Sequence, residues 1–535
     1  MLRESNKQMN MYSILYERIP EKHLLKQISR GVDFSFINEM LADSYCRNLG
    51  RPAKEPEMMA KLCILEHLYN LSDEKVMEET QVNLAYMWFV GINPDEKLPD
   101  PSLLSKFRTQ RLKTVKIDDI MTEIVRQCVE KGIIKGTTLT IDTTHTEANC
   151  KKQVPERIMK RLAKKLFKSL AEDHEGKIPE GVNTEIPDYK SIEEPSEAKQ
   201  EMKAYLEEVV EQAEQHKGKK TKEAIEEINK TLSDEKFMVQ KGQRSLTDKD
   251  ARVGYKSKTE SFFGYKTEIT MTAEDRIITA VEVHGGEYVD GTKSEELLDR
   301  TIKSGVKVEA FSGDRAYFRK DILEGLEKRG IESIIPVSAS AYKMDEEQYS
   351  YNKDSDEWIC RMGNRTIRRK QRQRTKNGAP YSYLEYSFDK AGCKGCPHRE
   401  ECMGKASGGK KLIVSKNTAK YYEESQRQKT DEFKEKYRKR AAIEWKNAEL
   451  KRFHGMARAR GWGMRSMANQ AKLTAIAVNL KRIAALIRQK EQENALAKAV
   501  FPSFSCRIER FMRDLYTIAC WQFKWRLSFG ITSLA

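Results

Sequence analysis

Tyr437, Arg440, Glu444 and Lys451 stand in the spacing Y-x2-R-x3-E-x6-K. Wound as an α-helix at about 100° per residue, Arg440, Glu444 and Lys451 share one face, with Tyr437 beside them. A single carboxylate ringed by two cations and a phenol suits an acid that holds a metal ion against a phosphate backbone. The plainer reading is a basic surface helix with one i, i+4 Arg–Glu pair. Two upstream acids weigh against it. Asp142 closes the alternating, β-branched stretch TTLTIDTT, on the face opposite Leu139 and Ile141. Asp314 closes a second strand-like stretch, VEAFSGD. Three hard oxygen ligands suit Mg2+ or Mn2+. Two such ions about 4 Å apart can activate an attacking oxygen and stabilise a leaving one during in-line phosphoryl displacement. His145 has the chemistry of a general base, but a structural or phosphate-contacting role is the stronger reading. Trp445 has a face for stacking on a base, although a lone aromatic on such a helix is more often core.

The surrounding elements must bring these side chains together. Residues 1–130 read as helical, with a turn at Gly50-Arg-Pro52 and an N-cap at Ser72. Two helices joined closely near residue 83 resemble either a helix-turn-helix or an ordinary helical hairpin, and Lys106, Arg108 and Arg111 add a basic face. Residues 131–150 and 251–340 alternate strand and helix patterns, including a hairpin formed by GYKTEITMT and IITAVEVH. Between them, residues 151–250 form a charged helical insertion with Leu162, Leu166 and Leu170 along one stripe. Setting the insertions aside, the order is similar to that of an RNase H-like core, a sheet in which the first and fourth strands are neighbours. Asp142 and Asp314 can therefore meet at one edge. Residues 341–425 form a cysteine-rich insertion, 426–490 the Glu444 helix and basic helices, and 491–535 an apolar C-terminal segment.

The 97 Lys and Arg outnumber the 81 Asp and Glu, a formal charge of +16 that speaks for a polyanionic partner. The excess is clustered. Residues 437–490 hold fourteen Lys and Arg against two Glu, and RTIRRKQRQRTK at 365–376 is dominated by cations. No apolar run is long enough for a transmembrane helix and the N-terminus lacks a signal-peptide core, so the expectation is a cytoplasmic protein without a membrane partner. Cys46, Cys63, Cys128 and Cys150 are scattered and read as reduced thiols. Cys360-x32-Cys393-x2-Cys396-x5-Cys402 is different: four thiolates at close spacing read as a structural Zn2+ site, with His398 able to replace one. Such a finger would present the 365–376 basic run to DNA.

The Y-R-E-K spacing, with Asp142 and Asp314 upstream, resembles the signature of bacterial insertion-sequence DDE transposases. The resemblance covers roughly residues 15–490. The stretch from Asp142 to Asn149 (DTTHTEAN) resembles the family's D-G-T-x-x-x-A-N, with Thr143 in place of glycine. Gly264-Tyr-Lys and Gly313-Asp-Arg-Ala-Tyr also look like family stretches. The resemblance implies an α/β, RNase H-like catalytic core with an all-α N-terminal DNA-binding domain, and a triad of Asp142, Asp314 and Glu444. It further implies DNA contacts from Tyr437, Arg440 and Lys451, Mg2+ or Mn2+ as cofactor, and terminal inverted repeats and target DNA as partners of a homodimer, associated with the nucleoid when bound. Two alternatives remain at this level: a transposase-derived DNA-binding regulator without catalysis, and an RNase H-fold nuclease that only hydrolyses.

Overall fold

A computed structural model describes residues 12–45, 53–112, 114–216, 218–238, 244–257, 259–376 and 379–500. Gly50-Arg-Pro52, Cys46 and the C-terminal segment from residue 501 lie outside the described residues.

The β-branched run becomes β1, Thr138–Glu147, and continues past Asp142 where the sequence pattern ends it. The reason lies in its partner. β3, Ser261–Thr272, pairs antiparallel with β1 all the way from Leu139 to Glu147, so polar residues such as Thr144 and Thr146 stay in the ladder and are buried. On its other edge β3 pairs with β2, Arg252–Tyr255, and then with β4, Ile278–Gly285. β5, Ala310–Ser312, joins β1 in parallel, and β6, Glu332–Ile334, joins β5 in parallel. The result is a mixed sheet with β1 at its centre. Gly264 sits where β3 crosses the end of β1, and a Cβ there would collide with the Thr146 carbonyl.

Each face of the sheet has its own core. Leu139, Ile141 and Phe311 meet Leu297, Leu298, Leu323 and Leu326 from helices Ser294–Lys303 and Lys320–Lys328. The opposite face, with Ile269, Met271, Ile278 and Val281, meets helix Thr114–Glu130 and the long helix Met464–Val500. Asn479 of that long helix is wholly buried and exchanges two hydrogen bonds with the Ile278 backbone, at 2.8 and 2.7 Å. The same helix packs on the N-terminal helices, so one continuous core joins them to the sheet.

The helical pair near residue 83 is a hairpin inside this bundle. Asn83 ends helix Asp73–Val82 and caps Leu84–Val90, accepting from Ala85 and Tyr86. The second helix buries Ala85, Tyr86, Met87, Phe89 and Val90, which leaves it no polar face for a DNA groove. The expected basic face nearby is partly spent within the fold. Arg108 pairs with Glu66 and Asp73 at 2.7 and 2.6 Å, and Arg460 also pairs with the buried Glu66.

The charged insertion packs as a unit of its own. Helices Pro155–Asp173, Pro195–Glu214 and Lys219–Leu232 enclose a separate core of Leu162, Leu166, Leu170, Leu206, Val209 and Ile228. The cysteine-rich region folds as a hairpin, β7 (Tyr349–Asn352) and β8 (Glu357–Cys360), beside a three-stranded sheet. That sheet comprises β9 (Thr366–Lys376), β10 (Ala379–Phe388) and β11 (Lys411–Ser415), with β10 in the middle. Among the described residues, no helix is long and apolar enough to cross a membrane.

Candidate active site

β5 accompanies β1 only over Thr138–Thr140. From Ile141 onward that edge of β1 is taken by helix Ala441–Phe453, which reaches it through a ladder of side chains. Arg440 Nη2 lies 3.2 Å from Asp142 Oδ1, Asn447 Nδ2 donates to Asp142 Oδ2 at 2.8 Å, and Lys451 Nζ meets His145 Nδ1 at 3.2 Å. Beyond the helix the chain returns to the end of the strand. Ala459 donates to the Glu147 carbonyl at 2.8 Å, Glu147 donates to Ala457 at 3.0 Å, and Thr146 donates to Met456. These bonds fix the position of Glu444's helix against Asp142's strand.

Arg440 is the hinge of the arrangement. Its Nη1 donates to Glu444 Oε1 at 2.7 Å while Nη2 holds Asp142, so one guanidinium bridges two of the three acids. Asp314 follows β5 and caps the turn Arg315–Tyr317, accepting from Ala316 at 2.8 Å. Burial lifts the Asp142 carboxyl to about 6; Arg440 opposes the rise, and the charges of Asp314 and Glu444 add to it. The Asp142 carboxyl therefore feels the other two acids, as a ligand of a shared cation does before it binds. Hard oxygen donors with excess negative charge fit Mg2+ or Mn2+. The ligating geometry is not formed: among the described residues, no three His, Cys, Asp or Glu side chains gather as a metal site.

The Y-R-E-K residues do not lie on one continuous helix. Helix Asp431–Arg438 carries Tyr437 and ends before Arg440, which stands at the start of the next helix. No glycine or proline marks this break. The packing explains it: Phe433 and Tyr437 sit on Ala310 and Ile334, whereas Ile443 and Leu450 enter the core shared with the N-terminal helices. A straight helix cannot serve both surfaces. Trp445 is 61% exposed, contrary to the core reading, and lies under the Arg276 guanidinium at 5.1 Å.

Burial and the neighbouring Lys451 and Lys256 lower the His145 imidazole to about 4, so it is neutral and accepts from Lys451. That hydrogen bond holds the imidazole against the lysine. Burial, followed by repulsion from Lys256, depresses Lys451 itself to about 8. A phosphate beside Lys451 would restore its proton. Duplex affinity should accordingly fall as the pH rises through about 8, and Lys451→Arg, always charged, should flatten that dependence. Binding titrations from about pH 7 to about pH 9.5 measure it; a wild-type curve as flat as the variant's would contradict it.

Two supports carried no spacing signature. Asn447 lies seven positions after Arg440, hence on the same helical face. With Asp142 losing one of its two side-chain donors, Asn447→Ala should lower activity about 10- to 100-fold, the usual cost of a ligand-orienting group, read by single-turnover cleavage. Glu268 is the one acid in its strand, Ser261–Thr272. It is fully buried and accepts from Tyr317, Tyr288 and the Gly291 amide at 2.7–2.9 Å, while the Tyr317 hydroxyl also meets Thr143 at 2.9 Å. This network ties the residue after Asp142 to the turn that follows Asp314.

The four clustered cysteines line one cavity of about 430 Å³, with Met362, Asn364 and Arg399 also on its wall. Cys393 is buried in the small core around Trp358, and the Asn364 amide contacts its Sγ at 3.2 Å. Among the described residues, the four thiols do not gather as a metal site. Cys63 and Cys128 are buried free thiols, and burial pushes both up to about 12.

Two family models match parts of the chain. Residues 13–110 match the family model described as Transposase domain (DUF772), and residues 359–484 match that described as Transposase DDE domain. The chain thus carries DDE transposase domains, and these imply a transposase enzyme and DNA transposition. The second match includes Tyr437, Arg440, Glu444 and Lys451. No curated protein matches the chain. Among solved structures, the chain is similar to a piggyBac transposase synaptic complex with hairpin DNA, at 9% identity and a TM-score of 0.29. The similarity spans 87% of this chain and 78% of that one.

Proposed function

We propose that the protein is an insertion-sequence DDE transposase. It binds terminal inverted repeats of its element, cuts there, and joins the 3′ ends to target DNA as a homodimer on the DNA. The observation that carries this reading is that Arg440 bridges Asp142 of the central strand and Glu444 of the edge-lining helix, while the charge of Asp314, in the turn after β5, reaches Asp142. The sheet order, with β1 between β3 and β5, supports an RNase H-like core.

In this reading Asp142, Asp314 and Glu444 hold Mg2+ or Mn2+, which would activate the attacking oxygen and stabilise the leaving one. The chain's own groups do the rest. Asn447 and Arg440 orient Asp142. Arg440 offers a fork to phosphate and Lys451 a point charge, while Tyr437, half-buried against Phe433, contributes a hydroxyl and a ring edge. Residues 1–130 are assigned to end binding, 131–150 and 251–340 to the core, and 426–490 to the third acid and backbone contacts.

The test is a strand-transfer assay with element-end duplexes, a supercoiled target and Mg2+. Joined products are expected. Cleavage without joining would favour a nuclease, and binding without cleavage a regulator. We also propose that Cys360, Cys393, Cys396 and Cys402 hold a structural Zn2+, which draws support from their shared cavity. Elemental analysis of protein never exposed to chelator should find about one zinc per chain, and below about 0.2 the assignment fails.

A further inference from the structure

We propose that the outer face of the β9–β11 sheet is a second contact surface for duplex DNA, engaging phosphates through Arg368, Lys370, Arg372, Arg374 and Lys411. The inference rests on the transposase reading, which makes duplex DNA the polyanion this chain must hold.

The strand register defines the face. Arg368 stands opposite Ser387, Lys370 opposite Glu385, Arg372 opposite Tyr383 and Arg374 opposite Tyr381. Lys411 joins them from β11, also opposite Ser387. Residues directly opposed in a ladder lie on the same side of the sheet. The alternate residues Leu384, Tyr386, Leu412 and Val414 turn the other way and pack around the buried Trp358. The cations therefore face away from the small core.

The charge on this face is one-sided. Glu385 is the single acid in all three strands, and it is shared by Arg372 at 3.3 Å and Lys411 at 3.6 Å. Arg374 lies over the Tyr383 ring at 4.9 Å, and Tyr381 stacks beside Tyr383 while remaining 41% exposed. These aromatics hold the guanidinium flat against the sheet without neutralising it. Like charges placed at every second position repel one another and weaken the isolated sheet. A facing polyanion reverses that sign.

The spacing also suits a duplex. Alternate strand residues recur about every 6.7 Å, while phosphates of one DNA strand advance about 3.4 Å per base pair along the axis. The row of four cations on β9 spans about 20 Å, long enough to meet several phosphates.

The experiment uses the full chain and a mixed-sequence DNA duplex of about 30 base pairs lacking element ends, titrated across salt concentrations. The triple variant Arg368→Gln, Lys370→Gln, Arg374→Gln leaves the Arg372–Glu385–Lys411 cluster intact. Its slope of log affinity against log salt should fall by about two to three units, and its affinity near 0.1 M salt should drop at least about tenfold. The matched variant Arg368→Lys, Lys370→Arg should keep the wild-type slope. Wild-type binding with an unchanged triple variant would overturn the surface while leaving the transposase reading in place. Equal losses in the matched variant would mean a structural effect and would also overturn it. A preference for duplex RNA of the same sequence, lost in the triple variant, would overturn the DNA assignment. A wild-type chain that binds no duplex would sink the functional reading itself.

Discussion

Asp142→Asn should lower metal-dependent cleavage of element-end DNA by at least about a thousandfold, and Asp314→Asn and Glu444→Gln should do the same. Each change keeps the side chain's size and removes a charged oxygen donor, so duplex binding should remain. The expected damage to the fold is small, because Arg440 bridges Asp142 and Glu444 and retains one acid in either single variant. Thermal melting checks that point, and single-turnover cleavage with end-labelled duplex measures the effect. Near-wild-type cleavage in any of the three would remove that residue from the proposed triad.

The second large effect is a pH-dependent metal affinity. Asp142, held at about 6 by burial, keeps its proton in the folded chain over a window where the unfolded chain has already released it. Raising the pH through that window therefore costs stability, the reverse of the usual salt-bridged aspartate. A divalent cation binds only the carboxylate and so must displace the proton. Its affinity should rise up to about tenfold per pH unit below about 6 and level off above. Calorimetric titration of Mn2+ across about pH 5 to 8 follows this directly. In Asp142→Asn both the metal affinity and its slope should vanish; a wild-type affinity flat across the range would contradict the assignment. The readout is independent of DNA, so a defect in end binding cannot imitate it.

Much of the site is legible in the amino-acid sequence, because its chemistry is written in residue type and spacing. Glu444 with Arg440 four positions earlier, and Asp142 at the polar face of an alternating strand, are local patterns that survive folding. The hairpin of β3 and β4, the helices Ser294–Lys303 and Lys320–Lys328, and the helical nature of the insertion follow from periodicity and caps in the same way.

Other features depend on partners distant in sequence. Whether β1 ends at Asp142 or runs to Glu147 is decided by β3 and by the 456–459 segment, whose backbone groups complete the ladder. The break between Arg438 and Ala441 has no local signal, since two separate cores pull the neighbouring helices in different directions. Asn447 and Glu268 gain their importance only when the Asp142 strand and the Asp314 turn arrive beside them. The cysteines show the same limit in reverse. Their spacing states that four thiols are near in sequence, but ligation requires a common centre, and only the fold, which packs Cys393 into the small core around Trp358 and lines one cavity with all four, brings them near one. Sequence alone determined which groups could act, because side-chain chemistry and short-range periodicity are local. Tertiary structure alone decided which of them meet, because strand register and core packing join residues hundreds of positions apart.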